Sequence, residues 1–359
     1  MESSYTDVGI AEADAAPVDT PAAPRALLEV EDLTVQFRTR GAGRAVVHAV
    51  TDVSVEIAPG ETLGLIGESG SGKSTVARAV SQLLRGQRVK VTGSVSLDGV
   101  RLDQLSKREL RAQRHRMQMV FQDPNDALDP RMTVRQSVEE PLRILGRAGG
   151  GELGATVERA LDTVGLAPAM ADRRPHELSG GQRQRVNIAR AMALEPQLVL
   201  CDEVVSALDV SIQADILNLL AAFQRDRHVA YLFISHDLGV VASVSHRIGV
   251  MYLGRLVEVG TTAQVVRNPR HPYTEALLSA EPEAVPSRLR ARNRIILDGD
   301  IPSPINPPSG CGFRTRCRYA QDRCEAEVPP LTATPDGHLV ACHFADELHL
   351  SGRSIPAAR

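Results

Sequence analysis

The sequence contains no tryptophan, and aromatic residues make up 3% of its 359 positions, so few side chains are available for stacking on a flat ring. No apolar stretch approaches the roughly 20 residues that a membrane-spanning helix needs, so any membrane role is expected to be peripheral, through protein partners. The net charge of −3 creates no positive field that would attract nucleic acid or anionic lipid. The N-terminus has neither the basic nor the apolar region of a secretory signal, so export is not expected.

Cysteine is scarce and unevenly distributed. Cys201 lies in an apolar run and is expected to be a small core residue, whereas the other four lie beyond residue 310: Cys311, Cys317, Cys324 and Cys342. Because structural disulfides are uncommon in cytosolic proteins, this clustering favours a metal site over cross-links. The remaining composition, 43% hydrophobic and 24% charged, is typical of a soluble globular protein.

The order of apolar segments predicts an α/β fold. Alternating segments such as "LLEVEDLTVQF" and "VTDVSVEIAPG" predict antiparallel strands near the N-terminus. The runs "MQMVF", "LVLC" and "AYLFIS" (117–121, 198–201 and 230–235) predict strands covered on both faces, as in a parallel sheet. An apolar stripe at helical spacing predicts a helix between the last two runs; its members are Ile212, Ile216, Leu219, Leu220 and Phe223. We expect a largely parallel sheet with helices, preceded by an antiparallel β subdomain.

Changes in composition mark further regions. Residues 1–24 are rich in Ala, Pro, Asp and Glu, which predicts a disordered tail. The segment from about 130 to 177 reads as an inserted helical lobe with a glycine-rich interruption at Gly149–Gly151. After about residue 270 proline becomes frequent and the cysteines appear, which predicts a second, loop-rich module.

The segment "GESGSGKST" (67–75) fits the phosphate-loop pattern G-x-x-x-x-G-K-[ST] and lies between a predicted strand and a predicted helix. Its glycines allow successive N–H groups to point at the α- and β-phosphates of a nucleotide. We expect Lys73 to contact the β- and γ-phosphates and Ser74 to bind Mg²⁺. A chance Gly/Ser turn is the alternative, which the flanking strand and helix disfavour. The candidate nucleotide-binding residues of this segment are Gly67, Glu68, Ser69, Gly70, Ser71, Gly72, Lys73, Ser74 and Thr75.

Polar residues end several of the predicted strands. "LVLCDE" places Asp202 and Glu203 at the C-terminal end of a buried strand, the edge at which open α/β sheets bind ligands. We expect Asp202 to support Mg²⁺ and Glu203 to polarise the attacking water. Gln122 and His236 end two other strands, where Gln122 could reach Mg²⁺ or the water and His236 the γ-phosphate. A structural role, such as a strand-end cap, is the alternative for each of them.

A second glycine-rich turn, "LSGGQ" at 178–182, precedes the predicted helix "QRQRVNIARAMAL". It holds no acid, base or metal ligand, so Ser179 and the amides of Gly180 and Gly181 can only bind an anion. Taken alone, the segment is better explained by Ser179 acting as an ordinary helix N-cap.

In this order, the phosphate loop, Gln122, "LSGGQ", "LVLCDE", "SALD" (206–209) and His236 resemble the ATP-binding subunits of ABC transporters, over roughly residues 27–265. The resemblance implies ATP hydrolysis by a head-to-tail dimer. It assigns Asp209 to linking the two sites, and it implies that each subunit covers the γ-phosphate of its partner's ATP with Ser179, Gly180, Gly181 and Gln182.

Two further implications of the resemblance concern single positions. In this family adenine stacks on an aromatic residue upstream of the phosphate loop, for which Phe37 is the candidate; a role in the strand core is the alternative. A proline usually follows the acidic pair, whereas Val204 and Val205 follow it here, so we expect an altered turn and retained hydrolysis.

The C-terminal segments "HPYTEALLSA" (271–280) and "DGDIPSPINPPSGCGFRTRC" through "VACHF" (298–344) resemble those of oligopeptide and dipeptide importers. "VFQDPNDALDPRMTV" and "LCDEVVSALDVSIQADILNLL" resemble the F-type member of a D-plus-F pair. This resemblance implies a D-type partner ATPase, two transmembrane permeases, an extracytoplasmic solute-binding protein and a place at the cytoplasmic face of the cell membrane. The implied substrates are peptides, although relatives also move nickel complexes and other small solutes.

Together these features divide the chain into four parts. We expect a tail at 1–24, an ATP-binding domain at 25–268 with the helical lobe at about 124–180, an oligopeptide-transporter-type region at 269–345, and a flexible tail at 346–359.

The four clustered cysteines are separated by five, six and seventeen residues, without the tight C-x₂₋₄-C knuckle usual in structural zinc sites. Four thiolates in a loop-rich module suit a [4Fe–4S] cluster, and the family resemblance points the same way. Zinc, joined by His343 or His338, and no metal at all are the alternatives. Nearby arginines either offset the charge of a cluster or form a solvated basic face; they are Arg314, Arg316, Arg318 and Arg323.

The sequence therefore predicts the ATPase subunit of a peptide-type ABC importer that binds no nucleic acid. One rival is a soluble ABC ATPase of translation or DNA repair, which usually has two cassettes or a long coiled coil, neither of which the sequence contains. A second rival is a metal-binding redox sensor whose ATPase is regulatory.

Overall fold

The computed structural model describes residues 26–39, 45–84, 88–123, 127–146, 152–206, 208–281 and 295–353. The tail expected at 1–24, the glycine-rich interruption at 149–151, Ala207 of "SALD" and the last six residues lie outside these ranges. The strands are β1 (Leu28–Arg38), β2 (Val46–Ile57), β3 (Thr62–Ile66), β4 (Val89–Leu97), β5 (Val100–Arg101), β6 (Met117–Val120), β7 (Leu198–Asp202), β8 (Ala230–Ile234), β9 (Arg247–Tyr252), β10 (Arg255–Thr261), β11 (Thr332–Ala333) and β12 (Leu339–Val340).

The helices lie between these strands in the chain, singly or in groups. They are α1 (Lys73–Val80), α2 (Lys107–Gln113), α3 (Val134–Ile144), α4 (Glu152–Thr163), α5 (Gly180–Met192), α6 (Val210–Arg227), α7 (Leu238–Val244), α8 (Thr262–Arg267), α9 (Pro272–Ala280) and α10 (Asp322–Ala326). Within the described ranges, none of them combines the length and the apolar character that crossing a bilayer requires.

The N-terminal strands form an antiparallel sheet in the order β2-β1-β4-β5, of which the sequence predicted β1 and β2. Leu28 of β1 lies opposite Ile57 of β2 and Leu97 of β4, and all three side chains are fully buried. These apolar side chains belong to a core that the antiparallel sheet shares with the main sheet.

The main sheet has the order β11-β12-β10-β9-β3-β8-β7-β6. Its strands β6, β7, β8, β3 and β9 are parallel, which confirms the predicted α/β fold. Alternate residues of β7 pack into two different core clusters, one on each face of the sheet. Leu198 and Leu200 pack toward the antiparallel sheet, whereas Val199 and Cys201 pack toward the helices. Both faces are therefore covered, which explains why β7 reads as an uninterrupted apolar run.

The predicted helical lobe contains α3 and α4, and α5 begins where it ends. Val138, Val157 and Val186, one from each of these helices, are fully buried in the same core cluster. Thr133 and Ser179 begin α3 and α5 with capping boxes. In each box the hydroxyl accepts the backbone N–H of a glutamine three residues later, and the side chain of that glutamine accepts the backbone N–H of the capping residue.

The C-terminal region is loop-rich, but it is attached to the main sheet. Glu258 of β10 lies opposite Val340 of β12 in an antiparallel pair. Phe313 is 2% exposed, and its ring packs against Tyr252 and Tyr273 with centroids 5.2 and 5.4 Å away. The cysteine-bearing segment is therefore seated on the core of the chain.

Candidate functional site

The phosphate loop connects β3 to α1, as the motif predicts. Its three glycines have a positive φ, 150° at Gly67, 80° at Gly70 and 103° at Gly72. A Cβ atom at Gly67 would lie 2.2 Å from the carbonyl oxygen of Met251, and one at Gly72 would lie 2.3 Å from that of Ala49. Both positions therefore require glycine, because the loop curls against neighbouring backbone.

The side chain of Lys73 lies inside this loop and binds its backbone. Its Nζ donates to the carbonyl oxygens of Gly67 and Glu68 over 2.7 and 3.0 Å, and the residue is 4% exposed. Burial lowers the pKa of Lys73, while the nearby carboxylates of Glu203, Asp202 and Glu68 act in the opposite direction. The ammonium group is thus held by weak neutral acceptors at the place where a triphosphate would offer stronger ones.

Ser74 and Asp202 lie together although 128 residues separate them. The Ser74 hydroxyl donates to Oδ1 of Asp202 over 2.6 Å. Asp202 is 2% exposed at the end of β7, and burial raises the pKa of its carboxyl group. A hydroxyl and a carboxylate are oxygen ligands that suit Mg²⁺, which proteins often hold by one or two such groups plus substrate phosphates.

A second group of polar side chains surrounds Glu203. Gln122 Nε2 donates to Oε2 of Glu203 over 2.8 Å, and His236 Nδ1 lies 3.6 Å from the same oxygen. Glu203 has a φ of 51°, a left-handed conformation that non-glycine residues rarely adopt. Such backbone geometry often occurs at functional sites. The structure thus brings the ends of β6, β7 and β8 together around one carboxylate.

Val204 and Val205, which replace the expected proline region, are 3% and 1% exposed. The Val204 carbonyl accepts a hydrogen bond from Nε2 of Gln184 over 2.9 Å. The turn after Glu203 is therefore anchored in the core and to α5.

"LSGGQ" forms the N-terminus of α5. Ser179 Oγ accepts the N–H of Gln182 over 3.3 Å, so the N-cap role is observed in this single chain. Ser179 and Gly180 are exposed, and Gly181 is buried against Ile212 of α6. In the described part of the chain, no hydrogen bond or ion pair joins residues 179–182 to the phosphate loop. Their contact with a partner's nucleotide stays a prediction.

Two further candidate site residues, Asp209 and Phe37, form no hydrogen bond or ion pair with Asp202 or Glu203 in the described chain. Asp209 is the N-cap of α6, and the Val210 side chain beside it is 84% exposed. Phe37 is partly buried and packs against the core under the antiparallel sheet. The structural alternative for Phe37 is therefore observed, and its contact with adenine stays a prediction.

Two residues of the C-terminal region, which the sequence did not connect with the nucleotide site, hold the phosphate loop. The hydroxyl of Tyr273 accepts the N–H of Glu68 over 2.8 Å. Arg316 forms a two-bond ion pair with the Glu68 carboxylate. No motif joins positions more than 200 residues apart, so only the fold reveals these contacts.

The four clustered cysteines line one small pocket of about 20 Å³, beside Phe313 and His343. All four thiols are free. Burial raises the pKa of Cys317 and of Cys342 to about 11, so these thiols are protonated at neutral pH. In the described ranges, no three His, Cys, Asp or Glu side chains are arranged to hold a metal ion. The structure therefore does not support the predicted metal centre.

The proposed accessory residues of that centre have other partners. His338 is fully buried, with Nε2 2.9 Å from Oε1 of Glu258, so it is not available as a zinc ligand in the cysteine pocket. The four arginines each pair with a carboxylate; the pairs are Arg314–Glu325, Arg316–Glu68, Arg318–Glu275 and Arg323–Glu327. Arg318 and Arg323 keep more than half of their side chains exposed.

Comparison with known families gives two matches. Residues 50–206 match the ABC transporter family, and residues 257–324 match the C-terminal region of the oligopeptide/dipeptide transporter family. A probable peptide ABC transporter ATP-binding protein of Sinorhizobium fredii is 51% identical, and the match covers 92% of this chain and 94% of that protein. The chain belongs to the ABC transporter ATP-binding proteins of the oligopeptide/dipeptide family.

A second relative and a solved structure support the same family and fold. An oligopeptide transport ATP-binding protein of Haemophilus influenzae is 44% identical over 88% of this chain and 96% of its own length. An ATP-binding cassette solved as a post-hydrolysis dimer with ADP and phosphate is 29% identical, with a TM-score of 0.58 over 66% of this chain and 98% of its own length. The predicted family and fold are confirmed, and this ABC protein is an ATPase.

Proposed function

We propose that this ABC ATPase powers the import of oligopeptides or dipeptides. The names of its relatives and the match of its C-terminal region support peptides as the substrate class. The proposal assigns ATP binding to a domain at 25–268, with the helical lobe at about 124–180 inside it. It assigns an accessory role in the transporter to the region at 269–345.

The observation that carries the ATP-hydrolysing role is the grouping of Ser74, Asp202, Gln122 and Glu203 beside the phosphate loop. Backbone N–H groups of residues 67–75 bind the phosphates, and Lys73 moves from its carbonyl acceptors to the phosphate oxygens. Ser74 and Asp202 are the residues that would hold Mg²⁺, which would neutralise charge on the phosphates.

Glu203 then orients and polarises the water that attacks the γ-phosphorus atom. Gln122 positions this carboxylate and the water, and His236 contacts the γ-phosphate on the exposed side of the site. The bond from phosphorus to the bridging oxygen breaks, so ADP and phosphate leave.

The second half of each site comes from another ATPase subunit. This assignment is supported by the exposed position of Ser179 and Gly180, which bind no group of their own phosphate loop in the described chain. The helix N-terminus of α5 offers N–H groups and a positive dipole to the γ-phosphate of the partner's ATP. Gln182 and Asp209 complete the contact between the subunits. The partner in this proposal is a D-type ATPase, which makes the pair a heterodimer.

The pair binds two transmembrane permeases at the cytoplasmic face of the cell membrane, and an extracytoplasmic solute-binding protein delivers the peptide. No positive net charge favours nucleic acid as a partner. Closure of the ATPase pair around ATP moves the helical lobes, which transmit the movement to the permeases, and hydrolysis resets them.

We also propose that the four-cysteine pocket receives a [4Fe–4S] cluster. The proposal rests on the type of donor, since four thiols of the cysteine-bearing segment line one pocket, although in the described chain they are not arranged to hold a metal ion. The pocket of about 20 Å³ has room for about one water molecule, so the surrounding loops must move apart to admit a cluster.

The test of the proposed function is a transport assay with the assembled complex in sealed vesicles. Labelled dipeptides and oligopeptides should accumulate only with ATP, and unlabelled peptide should compete. Uptake of a nickel complex or another small solute, without peptide uptake, would show that this solute and not peptides is the substrate class. ATP hydrolysis without any permease or transport would favour a non-transport ATPase instead.

A further inference from the structure

Residue 68 of the phosphate loop is held at two points by the C-terminal region. Its backbone N–H donates to the hydroxyl of Tyr273 in α9 over 2.8 Å. Its carboxylate accepts from Nη1 and Nη2 of Arg316 over 2.6 and 3.1 Å. The phosphate-loop pattern leaves position 68 free to be any residue, so the pattern itself does not explain this clamp.

The groups that hold Glu68 are themselves fixed. Arg316 is 7% exposed in its side chain and ends a short 3₁₀ turn, Arg314–Arg316. Phe313, just before this turn, packs edge-on against Tyr252 and at a tilt against Tyr273 in the core. Cys317, just after it, lines the four-cysteine pocket. A two-bond guanidinium–carboxylate pair also fixes orientation, which a lysine could not do equally well.

The charge of Glu68 makes this clamp relevant to nucleotide binding. The Glu68 carboxylate acts electrostatically on Lys73, the residue assigned to the β- and γ-phosphates. Without Arg316, the loop would present an unpaired carboxylate beside the site of a triphosphate, and like charges there repel. Lys73 would also be drawn toward that carboxylate.

We propose that Arg316 is a positioning residue for the phosphate loop. It neutralises Glu68 and, with Tyr273, fixes the loop in the conformation that receives ATP. The C-terminal region is therefore part of the nucleotide site, and a displacement of the cysteine-bearing segment changes ATP affinity. This inference rests on the proposed role of residues 67–75 in ATP binding.

The experiment measures the ATP dissociation constant of the full-length chain by titration calorimetry with Mg²⁺ present. Arg316→Gln should weaken ATP binding about tenfold, a coupling of ordinary size for linked sites. Arg316→Gln combined with Glu68→Gln should restore most of the affinity, because the pair again has no net charge. Arg323→Gln is the matched control, since Arg323 pairs with Glu327 on the surface of the same region. Its ATP affinity should equal that of the unmodified chain.

Rescue by the double variant separates positioning from folding, because a merely structural arginine would not be rescued by removing the glutamate charge. Equal ATP affinity of Arg316→Gln and the unmodified chain, or no recovery in the double variant, would overturn the inference. If Arg316→Gln does not fold, Tyr273→Phe, which removes the acceptor of the Glu68 N–H, should weaken ATP binding several-fold. An unchanged affinity in that variant would then overturn it. An unmodified chain that binds no ATP would refute the proposed function instead.

Discussion

Gln122 donates a hydrogen bond to the Glu203 carboxylate over 2.8 Å, although 81 positions separate the two residues. They meet because β6 and β7 are neighbouring parallel strands, so their C-terminal ends lie at the same edge of the sheet. The bond occupies Oε2, the oxygen to which His236 is also nearest. Gln122 therefore holds the carboxylate that we assign to the attacking water.

Replacement of that carboxylate tests its role most directly. We expect Glu203→Gln to lower ATP turnover of the assembled complex at least about 100-fold, because an amide does not accept a proton from water. ATP should stay bound, since Lys73, Ser74 and the loop N–H groups are unchanged. Steady-state ATPase assays and nucleotide retention on a filter give the two readings. Glu158→Gln, at an exposed position of α4, is the control, and unchanged turnover of Glu203→Gln would refute the assignment.

The exposed N-terminus of α5 leads to a prediction about the partner. We expect Ser179→Arg to abolish hydrolysis at the partner's phosphate loop, because a bulky side chain there blocks the approach of the helix to the γ-phosphate. The subunit's own ATP affinity should not change, since no bond joins residues 179–182 to its own loop in the described chain. Mixed complexes with one inactivated loop would show which site is lost. Glu158→Arg supplies the control for a new arginine on the same lobe, and loss at the subunit's own loop would contradict head-to-tail pairing.

Much of the parallel sheet could be predicted because strands that are buried on both faces consist mostly of consecutive apolar residues, as in β3, β7 and β8. β4 escaped prediction because the first half of "VKVTGSVSL" is exposed and carries no such run. β12 has two residues and is stabilised as a strand by its pairing with β10. Strands of these kinds depend on tertiary contacts, which local sequence does not record.

The residues grouped around the phosphate loop could be predicted because each follows a strand at a known edge of the sheet. The Arg316–Glu68 pair could not, since its partners lie 248 positions apart and neither belongs to a pairing motif. The same limit applies to His338, which the zinc alternative included as a ligand but which lies against Glu258 in a buried pair. Burial and partner choice are set by the fold.

His271 leads to a prediction about pH. It is 1% exposed at the N-cap of α9, where its Nδ1 accepts the N–H of Tyr273 over 3.1 Å. Burial lowers the pKa of His271 from 6.5 to about 3. Between these values the unfolded chain binds a proton that the folded chain does not, so stability is complete above pH 6.5 and falls as pH decreases toward 3.

We therefore expect His271 to remove about 2 kcal/mol of unfolding free energy between pH 7 and pH 5. His271→Asn retains a capping side chain without a titrating ring, so its unfolding free energy should fall by about 2 kcal/mol less over the same pH interval. Urea unfolding of both proteins at each pH measures the difference. Equal losses in the two proteins would show that His271 does not govern this range.

The four-cysteine pocket gives the last prediction. Protein purified without oxygen should be brown and contain iron, because four thiolates can replace the buried, protonated thiols when a cluster binds and protons are released. Cys317→Ser should lose colour and iron, whereas Cys201→Ala should retain both, since Cys201 is a core residue of β7 outside the pocket. Elemental analysis distinguishes the alternatives. Zinc in place of iron would favour a zinc site, and a colourless chain without metal would refute the cluster and leave the pocket as a set of buried thiols.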